Sequence, residues 1–188
     1  MDGLRTRVTI SVKRVLDSCR KQLTLENTKL PIKIRPGIPP PHTFVNAAST
    51  GAAAKISKLS IARLEERPCF ARIKCQVTIP LRVIYKDAEG QEHSTDSHIT
   101  IPQDVVLYVP EASVFPFEIV AVASATSFAG KFPNANTLEC RLCLTTITKV
   151  VAETDLMLPA YGYCPSPNAV DFEEQACNKF FDLPLYPR

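Results

Sequence analysis

The chain has 188 residues, 45% of them hydrophobic, with 22 Lys and Arg against 19 Asp and Glu for a net charge of +3. That is enough apolar material for one sizeable core, as a single domain or a domain with an ordered arm. The charge is too mild for a phosphate-tracking nucleic-acid binder, and no basic run is interleaved with stacking aromatics. No apolar run approaches a membrane span, and the opening MDGLRTRVTISV lacks the apolar region of a secretory leader, so synthesis in a cytoplasm is expected.

The first element expected runs from Leu4 to Leu16. Thr6, Val8, Ile10 and Val12 share one parity, and Arg5, Arg7, Thr9, Ser11 and Lys13 the other. Alternating side chains point to opposite faces of a strand, so this is a half-apolar strand. A second short strand is expected at Leu23 to Leu25. Residues 1–35 therefore read as an N-terminal β arm. It either folds back on its own sheet or adds to a neighbour's by strand donation, with Val8, Ile10 and Val12 as candidate contact residues.

Four prolines between Arg35 and His42 cannot lie in a helix interior or a central strand. Residues 36–64 read as a Pro- and Ala-rich connector, in which 52–59 suits a short helix and 58–64 the entry to a strand. Residues 65–188 read as the main β domain.

Its strongest signal is CFARIKCQVTIPLRVIY. Cys69, Ala71, Ile73, Cys75, Val77, Ile79, Leu81, Val83 and Tyr85 form one apolar parity, while Arg72, Lys74, Gln76, Thr78 and Arg82 lie on the other. This is a strand with one buried and one wet face. The sequence Asp87-Ala88-Glu89-Gly90 predicts a turn, with Gly90 at positive φ. Gln91 to Ile101 then returns as an edge strand, Val105 to Val109 is a short strand between prolines, and Phe117 to Phe128 is a strand whose small Ala side chains suit close packing. Residues 130–137 read as a loop. Leu138 to Leu158 is too long for an ordinary strand at about 3.3 Å per residue, so a bulge or corner is expected near Lys149. The loop-rich end carries Phe180, Phe181, Leu183, Leu185 and Tyr186, too apolar for a free tail; they either cover the sheet or bind a partner. The whole predicts an all-β protein: an antiparallel β-sandwich or open barrel-like sheet with an N-terminal strand arm.

Little in this pattern points to catalysis. Cys140-x-x-Cys143 lies within an alternating run, which puts the two sulfurs on opposite faces, whereas a redox pair belongs at a helix N-terminus. His42, His93 and His98 form no metal-ligand pattern, and Asp87, Glu89, Glu92 and Asp96 read as solvated charges around a turn. The nucleophile elbow, phosphate loop and dinucleotide fingerprint are missing from the sequence. The expectation is a non-enzyme without cofactor or metal. Seven cysteines are many for a cytoplasmic chain. They are either buried thiols or cross-linking groups, and Cys19, Cys140, Cys143, Cys164 and Cys177 are the candidates for cross-linking.

The stretches FARIKCQVTIPLRVIYKDAEGQ, HITIPQDVVLYVP, LCLTTITKVVAETDLMLPAYGYCPSP and CNKFFDLPLYP resemble the SipL/SPOCS (DUF3794) family, β-rich domains of spore-forming Firmicutes, over residues 65 to 188. The resemblance implies a non-enzymatic role in endospore envelope assembly through protein contacts. It marks Tyr85, Gly90, Pro102, Pro159, Gly162 and Pro165 as residues shaping turns and sheet edges. Family members often carry repeated domains and a peptidoglycan-binding LysM module, which are not seen in this sequence. The expectation is a self-assembling structural protein of the endospore coat or surface, made in the mother-cell cytoplasm and deposited on the spore. It would be a homo-oligomer or polymer, touching other coat proteins and cross-linked by disulfides. The alternative is a non-polymerising adaptor that recruits another spore morphogenetic protein.

Overall fold

A computed structural model describes residues 6–51, 53–111 and 116–160. Seven strands appear among them: β1 (Thr6–Pro31), β2 (Thr43–Ser49), β3 (Ala53–Leu64), β4 (Arg67–Lys86), β5 (Glu92–Tyr108), β6 (Phe117–Asn134) and β7 (Thr137–Ala160). They form one antiparallel sheet that does not close into a barrel. Its order is β1-β7-β6-β2-β4-β3, with β5 along the other side of β4 and β3 also touching β6. The all-β class and the open antiparallel sheet are as the alternation predicts.

The chain divides into two compact units, residues 1–12 with 155–188 and residues 13–154. Residues 13–35 thus belong to the larger unit, and the span read as a connector carries β2 and β3. Of the 52–59 span, the described residues 53–59 are strand rather than helix, because β4 offers them a ladder: Lys55 faces Thr78 and Ile56 faces Val77. Backbone pairing outweighs the weak helical preference of an Ala-rich segment.

Within the larger unit the sheet folds over so that its two halves face each other. Gln103 of β5 donates to the Thr146 hydroxyl of β7 at 3.2 Å, although these strands share no ladder. On one side of the main cluster lie Val77, Ile79, Leu81 and Val83 of β4, each with no exposed surface. Ala121, Ala123 and Ala125 of β6 and Leu138, Cys140, Leu142 and Leu144 of β7 complete the main cluster. A smaller cluster joins Ala71, Ile73, Leu107, Val109 and Val150. The parity read in β4 is the buried one, apart from Cys69, which is exposed at the strand's start.

Pro80 sits inside β4, where a missing N–H would ordinarily break a ladder. Pro80 lies where the partner strand changes. Ser49 of β2 pairs with Leu81 and Lys55 of β3 pairs with Thr78, leaving Pro80 at the break with its carbonyl accepting from Thr50 N–H at 3.2 Å.

Three expectations are corrected. Residues 91–101 and 105–109 are one strand, β5, running through Pro102. Its N–H would have pointed to the open edge: Tyr108, an even number of residues further on, donates its own N–H to Asp17 Oδ2 rather than to β4. The corner expected near Lys149 is absent, since Lys149 pairs in register with Val120. The shifts fall instead on β6, between Thr126 and Ala129 and between Lys131 and Asn134. Residues 130–134 are accordingly strand, not loop. Gly130 suits this position because a Cβ would crowd Cys140 Cβ at 3.0 Å and Leu138 Cδ1 at 3.1 Å.

Candidate functional site

The residues with a claim to function lie on strand edges, on the apolar strand ends and around one turn. β1 is one terminal strand. Its contacts with β7 run in opposite chain order: Gln22 to the Thr145 hydroxyl, Thr24 to Cys143, and Glu26 to Arg141 at 2.9 Å. β5 is another terminal strand. The two edges are tied by side chains at their ends: Asp17 accepts from Tyr108 N–H at 2.8 Å, Ser97 donates to Pro31 O at 2.6 Å, and Thr95 donates to Lys33 O at 2.9 Å.

The outward side of β5 is guarded. Pro102 withholds a donor, and Asp96 and Asp104 place carboxylates on it, bound to Arg82 at 3.2 Å and to Arg72 at 2.6 Å. Charge and proline on an edge discourage a further strand. The Arg72 hydrogen bond holds the Asp104 carboxyl below its usual range, burial opposes it, and the charges of Arg72, Lys74 and Lys21 add to the lowering.

The other unit is described at Thr6–Val12 of β1 and Asp155–Ala160 of β7. Val8 and Ile10 are 38% and 37% exposed, Val12 is half-buried, and Leu156, Met157 and Leu158 are all exposed. Val8, Ile10 and Val12 alternate as a core face does, whereas Leu156, Met157 and Leu158 are consecutive and exposed on both faces of β7.

The turn after β4 is more than a connection. Asp87 is buried rather than solvated, which corrects the reading of its carboxylate as a surface charge. Its Oδ2 meets His93 Nε2 at 2.7 Å, and its Oδ1 accepts from Gln91 N–H at 2.8 Å. The His93 hydrogen bond holds the Asp87 carboxyl below its usual range, burial opposes it, and the Gln91 N–H adds to the lowering. Tyr85 packs beneath, its ring 5.6 Å from His93, 5.7 Å from His42 and 5.8 Å from Phe132. Ala88 N–H donates to Pro39 O at 3.3 Å, so the turn grips the proline segment. Gly90 takes the positive φ expected, +81°. This cluster fixes a turn against a loop. Asp87 and His93 differ by six residues and straddle a turn, a spacing that a one-strand parity reading does not join.

Cys140 and Cys143 lie on opposite faces as predicted. Cys140 is buried, and burial pushes its thiol up, partly offset by a hydrogen bond with Ser127. Cys143 is exposed and Cys19 half-buried. Burial likewise pushes the Cys75 thiol up. The five described cysteines are free thiols. Exposure thus favours Cys143, with Cys69, which the sequence reading did not select, over Cys140 for any bond to another molecule. Cys164, Cys177, Phe180, Phe181, Leu183, Leu185 and Tyr186 lie outside the described residues, as do Gly162 and Pro165. Among the described residues no group of three or more His, Cys, Asp or Glu converges as metal ligands, and no helix is long and apolar enough to cross a membrane.

No family model matches the chain, and neither a curated protein nor a solved structure matches it.

Proposed function

We propose that this chain is a structural, self-assembling protein of the bacterial endospore coat or surface, joined to its neighbours through the strand ends Thr6–Val12 and Asp155–Ala160. The observation that carries the assembly reading is the exposure of Val8, Ile10, Leu156, Met157 and Leu158 on extended backbone. Clustered exposed apolar side chains mark interaction sites. The guarded β5 edge directs contact away from that strand. The endospore setting comes from the sequence resemblance alone. Cross-linking is a later step in this reading: Cys143 or Cys69 thiols of two chains lose two protons and two electrons to dioxygen or a small disulfide and form one S–S bond.

The test is negative-stain electron microscopy of the full chain and of a Val8→Ser, Ile10→Ser double variant, each with and without reductant. Ordered assemblies from the native chain, lost in the variant, are expected. Their persistence in reductant would make disulfides secondary. Uniform single particles from the native chain in every condition would overturn self-assembly and leave the adaptor reading.

A further inference from the structure

Phe128 is the most exposed large apolar side chain among the described residues, at 78%. It sits on β6 at the register shift between Thr126 and Ala129. The neighbouring Ser127 turns inward and is buried, its hydroxyl donating to Ala129 O at 3.2 Å. Phe128 keeps the outward parity of Val122, Ser124 and Thr126, so its ring stands on the outer face of the sheet.

The same face holds a shallow groove of about 190 Å³, floored by Val122 and Ile147 and bordered by Gly51 and Ser49. It opens where β2 gives way to β3, and the missing side chain at Gly51 helps leave the space. Between groove and ring the surface is small and nearly neutral: Ser124 and Thr126 on β6, with Thr145 and Cys143 opposite them on β7. Arg141, at the flank, is already neutralised by Glu26.

Val122 and Phe128 lie three positions to either side of Ala125. A two-fold axis lying in the plane of this face, crossing β6 at Ala125, would carry each ring about 20 Å along the strand to the other copy's Val122 at about 3.3 Å per residue. Such an isologous contact uses each knob and each groove once and closes on itself. The same operation sets Glu118 of one copy near Lys131 of the other, since they lie seven and six positions from Ala125. Both are exposed, and their pairs within the chain, with Lys13 at 3.1 Å and Glu139 at 3.3 Å, are surface pairs that leave them free to share a second charge.

We propose that the outer face of β6 and β7 is a contact between two copies of this chain, with Phe128 of each seated in the Val122–Ile147 groove of the other and Glu118 facing Lys131. This deepens the self-assembly reading and rests on it, but it uses a face distinct from the exposed strand ends. A desolvated aromatic anchor is the usual centre of such a contact, and the small residues between allow the faces to approach.

The test is sedimentation velocity of the full chain over a concentration series in reductant. The variants are Phe128→Ser, Glu118→Lys, Lys131→Glu and the double charge exchange, with far-ultraviolet circular dichroism to confirm folding. All three sites are exposed, so the variants are expected to fold. Phe128→Ser is expected to weaken association at least tenfold. Each single charge change should weaken it by a smaller factor, and the double exchange should restore it. A native chain that associates equally well as Phe128→Ser would overturn this contact and leave self-assembly standing. A native chain that is monomeric at every concentration would overturn both. Loss with Phe128→Ser without rescue by the double exchange would overturn the antiparallel two-fold arrangement.

Discussion

The alternation in β4 and that at the start of β1 look alike in sequence, yet they end in opposite environments. Ile73, Val77 and Ile79 lose all solvent contact, whereas Val8 and Ile10 remain more than one-third exposed. The same period-two pattern therefore reports only that a strand has an apolar face. Whether that face is sealed depends on a second layer. For β4 the layer is supplied by β6 and β7, two and three elements later in the chain. Val8 and Ile10 stay more than one-third exposed, which is the basis of the proposed assembly.

Substitutions in the two regions should separate these roles. Ile79→Ala should cost about 3 kcal/mol of folding stability, through lost burial and the cavity left behind, measured by urea denaturation. Gly130→Val should cost about 2 kcal/mol by the same measurement, because its side chain must displace Cys140 and Leu138 across the ladder. Ile10→Ser should move the urea midpoint little at low protein concentration, where chains are separate, while reducing assembly. A loss as large as that of Ile79→Ala would show Ile10 to be a core residue and erase the contrast.

The turn after β4 extends the comparison to charge. A carboxyl held below its unfolded value binds protons more weakly in the native state. The stability contributed by Asp87 is therefore present above the unfolded carboxylate pKa of about 3.9 and is lost as pH falls through the lower folded value. Asp87→Asn should flatten the fall in stability below about pH 4, and thermal melts from pH 6 to pH 2 measure this. An unchanged acid limb would mean that the His93 contact contributes nothing to that fall. The smallest effect is expected at Arg72→Ala. That ion pair is half-exposed on both sides and the urea midpoint should not move resolvably.

Much of the fold was legible because its cause is local. The buried parity of β4, the Gly90 turn and the opposite faces of Cys140 and Cys143 follow from side-chain period and glycine's conformational freedom. The continuity of β5 through Pro102 was not legible, since a proline breaks a strand only when its N–H is needed, and an edge does not need it. The burial of Asp87 was hidden because its partner, His93, approaches across a turn. The inward turn of Gly130 and Phe132 was hidden because the one-residue bulge between Thr126 and Ala129 reverses the face that parity assigns beyond it.

Local patterning is enough to specify strands with one apolar face, because alternation, proline punctuation and turn chemistry act within a few residues. Which faces are sealed, where the prolines are harmless and which thiols and aromatics reach solvent are set by long-range packing. Those outcomes depend on which distant strand supplies the missing ladder or layer, and no local pattern encodes that choice.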